Sequence, residues 1–262
     1  MRSAWMVCLI AGCGFTGPGL PTGDDPGGAG VDGGGTASAN CDAHGTGIKL
    51  CLSFEGNTVH DLAVPSHPPA IAQGLISILR LASHAATLDG NSRIRFDESH
   101  DFDVPDLTVG LWAYPDHGRQ SGSFTLLDNH VQYTLSYEQD QHIQCVIGGQ
   151  SVRSDNPLPD GWHHVACRYN AGKKDLRVFV DGDTAGCGQG PGPIPAGGRA
   201  GVAVGASFDG TSFQNNFIGS LDTVHLYATA LSDMAICNDA GKSSCSNNSC
   251  SDGDGGGGGH GR

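Results

Sequence analysis

The fold is read from one stretch, Gly161-Trp162-His163-His164-Val165-Ala166-Cys167-Arg168-Tyr169-Asn170-Ala171-Gly172-Lys173-Lys174-Asp175-Leu176-Arg177-Val178-Phe179-Val180-Asp181-Gly182. Apolar side chains recur at every second position, first as Val165/Cys167/Tyr169 and again as Leu176/Val178/Val180, with Asn170-Ala171-Gly172 between them and Asp181-Gly182 after. Alternate side chains of an extended chain point to opposite faces, so each run reads as a half-buried strand bounded by turns.

The same period appears in Leu107/Val109/Leu111, Val131/Tyr133/Leu135/Tyr137, Ile143/Cys145/Ile147 and Val224/Leu226. Turn signals separate the runs at Asp89-Gly90-Asn91, Pro115-Asp116, Asn156-Pro157, Pro159-Asp160-Gly161 and Asp209-Gly210. Many short strands with closely spaced turns predict an all-β sandwich or barrel. Ile71, Leu75, Ile78, Leu79 and Ala82 fit a helical face, but Leu75/Ser77/Leu79/Leu81 also alternates, so a strand is expected there. One short helix is expected after Thr229-Ala230-Leu231, with Ser232 as its capping residue.

Composition supports this reading and excludes some functions. Of 27 acidic residues only Glu55, Glu98 and Glu138 are Glu, and Asp with 42 Gly favours turns over helices. A formal net charge of -13 repels phosphate backbones, which argues against nucleic acid as a partner. No apolar run approaches the about 18 residues that cross a bilayer.

Four segments in order resemble the laminin G-like, concanavalin A-like jelly rolls. They are Leu88-Asp89-Gly90-Asn91-Ser92-Arg93-Ile94, Phe102-Asp103-Val104-Pro105-Asp106-Leu107-Thr108-Val109-Gly110-Leu111-Trp112, the stretch from Gly161 to Gly182, and Phe217-Ile218-Gly219-Ser220-Leu221-Asp222-Thr223-Val224-His225-Leu226-Tyr227. The resemblance implies two antiparallel sheets packed as a jelly-roll sandwich, and it places Trp112 and Trp162 on core strands. It also implies a structural Ca²⁺ held by Asp61, in the loop after the first strand, and Asp222, since calcium takes six to eight oxygens from carboxylates and loop carbonyls. The chain has Asp61-Leu62-Ala63-Val64-Pro65 where the family often has D-x-S-G-N.

Catalytic patterns are missing. The three Glu are too far apart for the E-x-D-x-E strand of retaining glycosidases, and no G-x-S-x-G or H-E-x-x-H occurs. His163 and His164 are adjacent on a strand, so they face opposite surfaces and cannot share an ion.

The termini suggest export. Arg2, the apolar run Trp5 to Ile10 and Ile10-Ala11-Gly12-Cys13 resemble a lipoprotein signal covering residues 1–12, with Cys13 as the lipid-attachment residue. Residues 13–40 form a Gly/Pro-rich linker, 41–242 the jelly-roll domain, and 243–262 a Cys/Gly-rich tail read as flexible. The remaining eight cysteines, Cys41, Cys51, Cys145, Cys167, Cys187, Cys237, Cys245 and Cys250, lack zinc-type spacing and suit disulfides in an oxidising compartment. Local pairing would join Cys41 to Cys51 and Cys245 to Cys250, with the other four pairing within the sheets. The resulting expectation is an exported, non-catalytic binding module on the cell envelope or outer membrane, tied to the membrane only through its lipid, with a glycan or an extracellular protein as partner. A surface adhesin and a glycan-active enzyme are the alternatives. The aromatic supply of Trp112, Tyr114, Tyr133, Tyr137 and Trp162 favours sugar, although the sequence singles out no ligand-binding residue.

Overall fold

The computed structural model describes residues 47–55, 59–64, 67–73, 76–80, 83–119, 122–195, 200–246 and 250. Cys13, the 1–12 signal, the 13–40 linker and Cys41 lie outside them. In chain order the strands are β1 (Ile48–Ser53), β2 (His60–Asp61), β3 (Ile71–Gln73), β4 (Ile76–Arg80), β5 (Ser83–Asp89), β6 (Arg93–Phe96), β7 (Leu107–Pro115), β8 (Phe124–Asn129) and β9 (Tyr133–Tyr137). They continue as β10 (Ile143–Ile147), β11 (Gln150–Arg153), β12 (His163–Asn170), β13 (Asp175–Val180), β14 (Asp183–Gln189), β15 (Val202–Val204), β16 (Ser207–Phe208), β17 (Phe213–Gln214) and β18 (Ile218–Tyr227). Helix α1 (Asp233–Asp239) closes the order, and Ser232 caps it by accepting the Ala235 amide at 3.2 Å.

These strands form a sandwich of two antiparallel sheets. One runs β14-β13-β12-β7-β18, after which β1 and β5 share the far edge of β18, with β2 on β1 and β4 on β5. The other runs β11-β10-β9-β8-β15-β6-β3, and β16 pairs with β17 as a separate hairpin. Alternation sorts the side chains as the sequence predicts: Val165, Cys167, Tyr169, Leu176 and Val178 enter the core shared by the sheets. Asp181 and Gly182, at φ 50° and 80°, make the two-residue turn that joins β13 to β14, a geometry Asp-Gly adopts readily. Behind the nine-stranded sheet, α1 packs Ile236 onto Ala166, Phe179 and Tyr227 in a smaller second cluster.

The disulfides keep the expected pairing for Cys145 and Cys167 and overturn it for Cys187, Cys237, Cys245 and Cys250. Cys145 of β10 bonds Cys167 of β12 and so ties one sheet to the other. Cys187 bonds Cys250, and Cys237 bonds Cys245. Cys245 and Cys250 therefore do not close a loop of their own; each fastens the C-terminal residues to the nine-stranded sheet or to α1. Cys51 is disulfide-bonded as well.

Candidate functional site, a charged cavity beside the β12–β13 turn

Arg168 of β12 and Arg177 of β13 are register partners, so both project from the same, outer face of the nine-stranded sheet. Two guanidinium groups side by side require counter-charge. Asp175, two residues before Arg177, supplies one carboxylate: Oδ2 takes Arg168 Nη2 at 3.2 Å and Oδ1 takes Arg177 Nε at 2.8 Å. Asp233, the first residue of α1, supplies the other, accepting from Arg168 Nη1 and lying 3.5 Å from Arg177 Nη1. Arg168 Nη1 also donates to the Leu231 carbonyl at 3.1 Å, and its guanidinium lies 5.2 Å from the Phe179 ring centre. Only 8 % of the Arg168 side chain is exposed, so this closed set of ion pairs is what makes its burial tolerable.

Above this quartet opens a cavity of about 820 Å³, lined further by Asn170, Lys173, Lys174, Gln189 and Ser232. The turn between the strands shapes it. Asn170 Oδ1 accepts the Lys173 amide at 2.9 Å, and Lys174 sits at φ 55°. Asp106 Oδ1 takes the Ala171 amide at 2.7 Å and pins the turn from the adjoining loop. The Lys173 and Lys174 ammonium groups make no hydrogen bond or ion pair with any described residue, which leaves them available to a ligand.

A second, smaller cleft of about 330 Å³ lies over the seven-stranded sheet, lined by Ser123, Glu138, Asp140, Gln144 and Arg153. Its charged groups already have partners. Glu138 accepts from Ser123 and, at 2.6 Å, from Ser136, while Arg153 Nη2 reaches both Asp140 oxygens at 2.5 and 2.6 Å. That arginine holds the Asp140 carboxyl below its ordinary range.

Asp61 and Asp222 are not brought together. Asp61 pairs with Leu52, whose other neighbour is Val224; Leu52 and Val224 are core residues, so Asp61 points inward. Asp222 pairs with Trp112 on β7, between the inward Leu111 and Ala113, so it points outward. Asp61 Oδ1 is already held by the Cys51 and Ala63 amides at 3.0 and 2.9 Å, and its other oxygen lies 3.7 Å from His67 Nδ1. Two carboxylates on opposite faces of the sheet do not fit a shared calcium ion. Among the described residues no three His, Cys, Asp or Glu side chains cluster as a metal site.

Trp112 stands on the central strand β7, as the resemblance implies, and Trp162 just before β12, but neither side chain enters the core between the sheets. Tyr133 and Tyr137 are buried between the sheets, and burial pushes the Tyr137 phenol up to about 12. Trp112 instead lies on the outer face, 5.7 Å from the His164 ring, and Trp162 lies 5.7 Å from Tyr114. None of these aromatics is exposed, so none offers an open stacking platform. His163 and His164 diverge as the alternation predicts: His163 Nδ1 lies 2.7 Å from Asp181 Oδ2, while His164 is buried. The cavity residues were visible in the sequence only as Asn-Ala-Gly-Lys-Lys, which reads as a turn.

Two antiparallel sheets closed by a cross-sheet disulfide define a jelly-roll sandwich. The profile of the concanavalin A-like lectin/glucanases superfamily (Laminin_G_3) matches residues 88–237, and the chain belongs to that family. Domain 4 of AbnA, an extracellular arabinanase from Geobacillus stearothermophilus solved with arabinotriose, has a TM-score of 0.59 at 18% identity, over 74% of this chain and 98% of that one. The binding domain of Paraclostridial Mosquitocidal Protein 1 has a TM-score of 0.60 at 16% identity, over 74% and 52%. The binding domain of Botulinum Neurotoxin DC in complex with SialylT has 0.57 at 9% identity, over 75% and 51%. The chain thus spans about half the length of the two toxin chains. No curated protein sequence matches it.

Proposed function

We propose that this chain is an exported, non-catalytic carbohydrate-binding module, and that the glycan occupies the cavity beside the β12–β13 turn. The observation that carries this reading is the cavity itself, in which amides, a hydroxyl and two uncommitted ammonium groups surround a space of about 820 Å³. Such convergent polar groups suit saccharide hydroxyls. The fold shared with domains whose structures hold arabinotriose and SialylT supports it. The scattered Glu residues favour binding over hydrolysis: Glu55 lies 3.2 Å from His84 at the nine-stranded sheet, Glu138 is held by serines at the other sheet, and Glu98 is exposed.

Export is supported by the disulfides, which persist in oxidising compartments. Attachment to the cell envelope through a lipid on Cys13 completes the reading, and replacing Cys13 with Ser is expected to move the protein from the membrane fraction to the soluble one. A glycan array followed by titration calorimetry tests the binding. Bound glycan without release of reducing sugar is expected. An array on which no glycan binds, with an extracellular protein captured instead, would favour an adhesin.

A further inference from the structure

The charge in the cavity runs against the charge of the chain. Four cations, Arg168, Lys173, Lys174 and Arg177, line it against two carboxylates, Asp175 and Asp233, in a protein of net charge -13. The arginines and carboxylates neutralise one another, so the surplus is the two ammonium groups at the turn. Asp106, the further carboxylate at this turn, is committed to the Ala171 amide.

Lys174 adds a second observation. Its φ of 55° lies in the left-handed region, where glycine would be less strained, yet a lysine stands there. The Lys174 carbonyl accepts the Gly190 amide at 2.9 Å, and its Cε would lie 3.7 Å from a Cβ placed on Gly192. The strained turn therefore sets the Lys174 stem beside the Gly190–Gly192 segment, next to the cavity-lining Gln189. Among the described residues no aromatic side chain lines the cavity, so stacking does not supply the affinity for a neutral sugar ring there.

We infer that the cavity recognises an anionic saccharide, with a carboxylate or sulfate group bridging Lys173 and Lys174 while Asn170 and Gln189 take hydroxyls. This inference rests on the cavity being the glycan site. Ammonium–anion hydrogen bonds are stronger than neutral ones, and at an exposed site they weaken with salt.

The test uses the whole protein in affinity electrophoresis with polygalacturonate, dextran sulfate and neutral dextran, at about 0.05 and 0.5 M salt. Retardation by one or both acidic polymers is expected, and the preferred polymer distinguishes carboxylate from sulfate. Binding should weaken roughly tenfold at the higher salt and by a similar factor in the Lys173→Ala/Lys174→Ala double variant, with melting unchanged. Lys174→Gly should bind more weakly while melting at the same or a higher temperature, because it relieves the turn. Acidic binding that survives the double variant would overturn the inference. So would a glycan lost on Asn170→Ala/Gln189→Ala but indifferent to acidic groups and to both lysines, although the cavity would then remain the glycan site. Binding abolished by Arg153→Ala instead would move the site to the other sheet and overturn both readings.

Discussion

At the scale of single residues, carboxylates act here as turn-makers. Asp89 Oδ1 accepts the Asn91 and Ser92 amides at 2.8 and 3.0 Å and the Ser92 hydroxyl at 2.8 Å, closing the turn between β5 and β6. The Asn91 amide and the Ser92 hydroxyl hold its carboxyl down to about 2. Asp209 repeats the device with Thr211 and Ser212, whose hydroxyls and amides hold it well below the ordinary range. A carboxyl with a depressed folded value contributes stability that is complete above its unfolded value, about 4, and is lost as pH falls toward the folded one. Melting temperatures measured from pH 5 to 2 are therefore expected to fall, and to fall less steeply in Asp89→Ala, which should also melt lower at neutral pH. Parallel curves for the two proteins would show that Asp89 does not carry this dependence.

At the scale of elements, the sandwich closes where its two sheet edges meet. Strands β11 and β14 end the two sheets, and just beyond β11 the Asp155 amide donates to Ala185 of β14 at 2.6 Å. A Cβ on Gly186 would sit 2.0 Å from the Arg153 carbonyl oxygen, which no side chain tolerates, and one on Gly188 would sit 3.3 Å from Val152. Glycine at 186 is thus the condition for this close approach, even though its backbone is not left-handed. Gly186→Val is expected to separate the edges and cost roughly 1 to 3 kcal/mol or more by overpacking. Gly188→Ala, whose neighbour needs to give by only tenths of an ångström, should cost less. Thermal melts of both variants check the order, and a Gly186→Val protein as stable as the unmutated one would refute the close approach.

At the scale of the molecule, Cys145–Cys167 does what neither sheet can do alone, because it links their strands covalently through the core. Its sequence separation of 22 implies about 3 kcal/mol of unfolded-state restriction. The Cys145→Ala/Cys167→Ala protein is expected to melt about 6 to 12 °C lower, since each kcal/mol moves a domain of this size by about 2 to 4 °C. A melt shifted by less than a degree or two would mean that the sandwich gains nothing from the link.

The sequence by itself determined the strands with a clear period of two, such as those around Val109, Leu135, Cys145, Cys167 and Val178, together with the Asp181-Gly182 turn, the Ser232 cap and the sandwich class, because these are set by neighbours within a few positions. Tertiary structure decided the rest. Cysteine partners depend on which strands face each other, so Cys245 and Cys250 reach Cys237 and Cys187 and not one another. Asp61 and Asp222 each sit on a strand, but only the register of β1 against both β2 and β18 sends them to opposite faces. The cavity needed Arg168 to meet Asp233, 65 positions away, before two lysines in an ordinary turn acquired a wall to face, and contacts of that separation are made by packing alone.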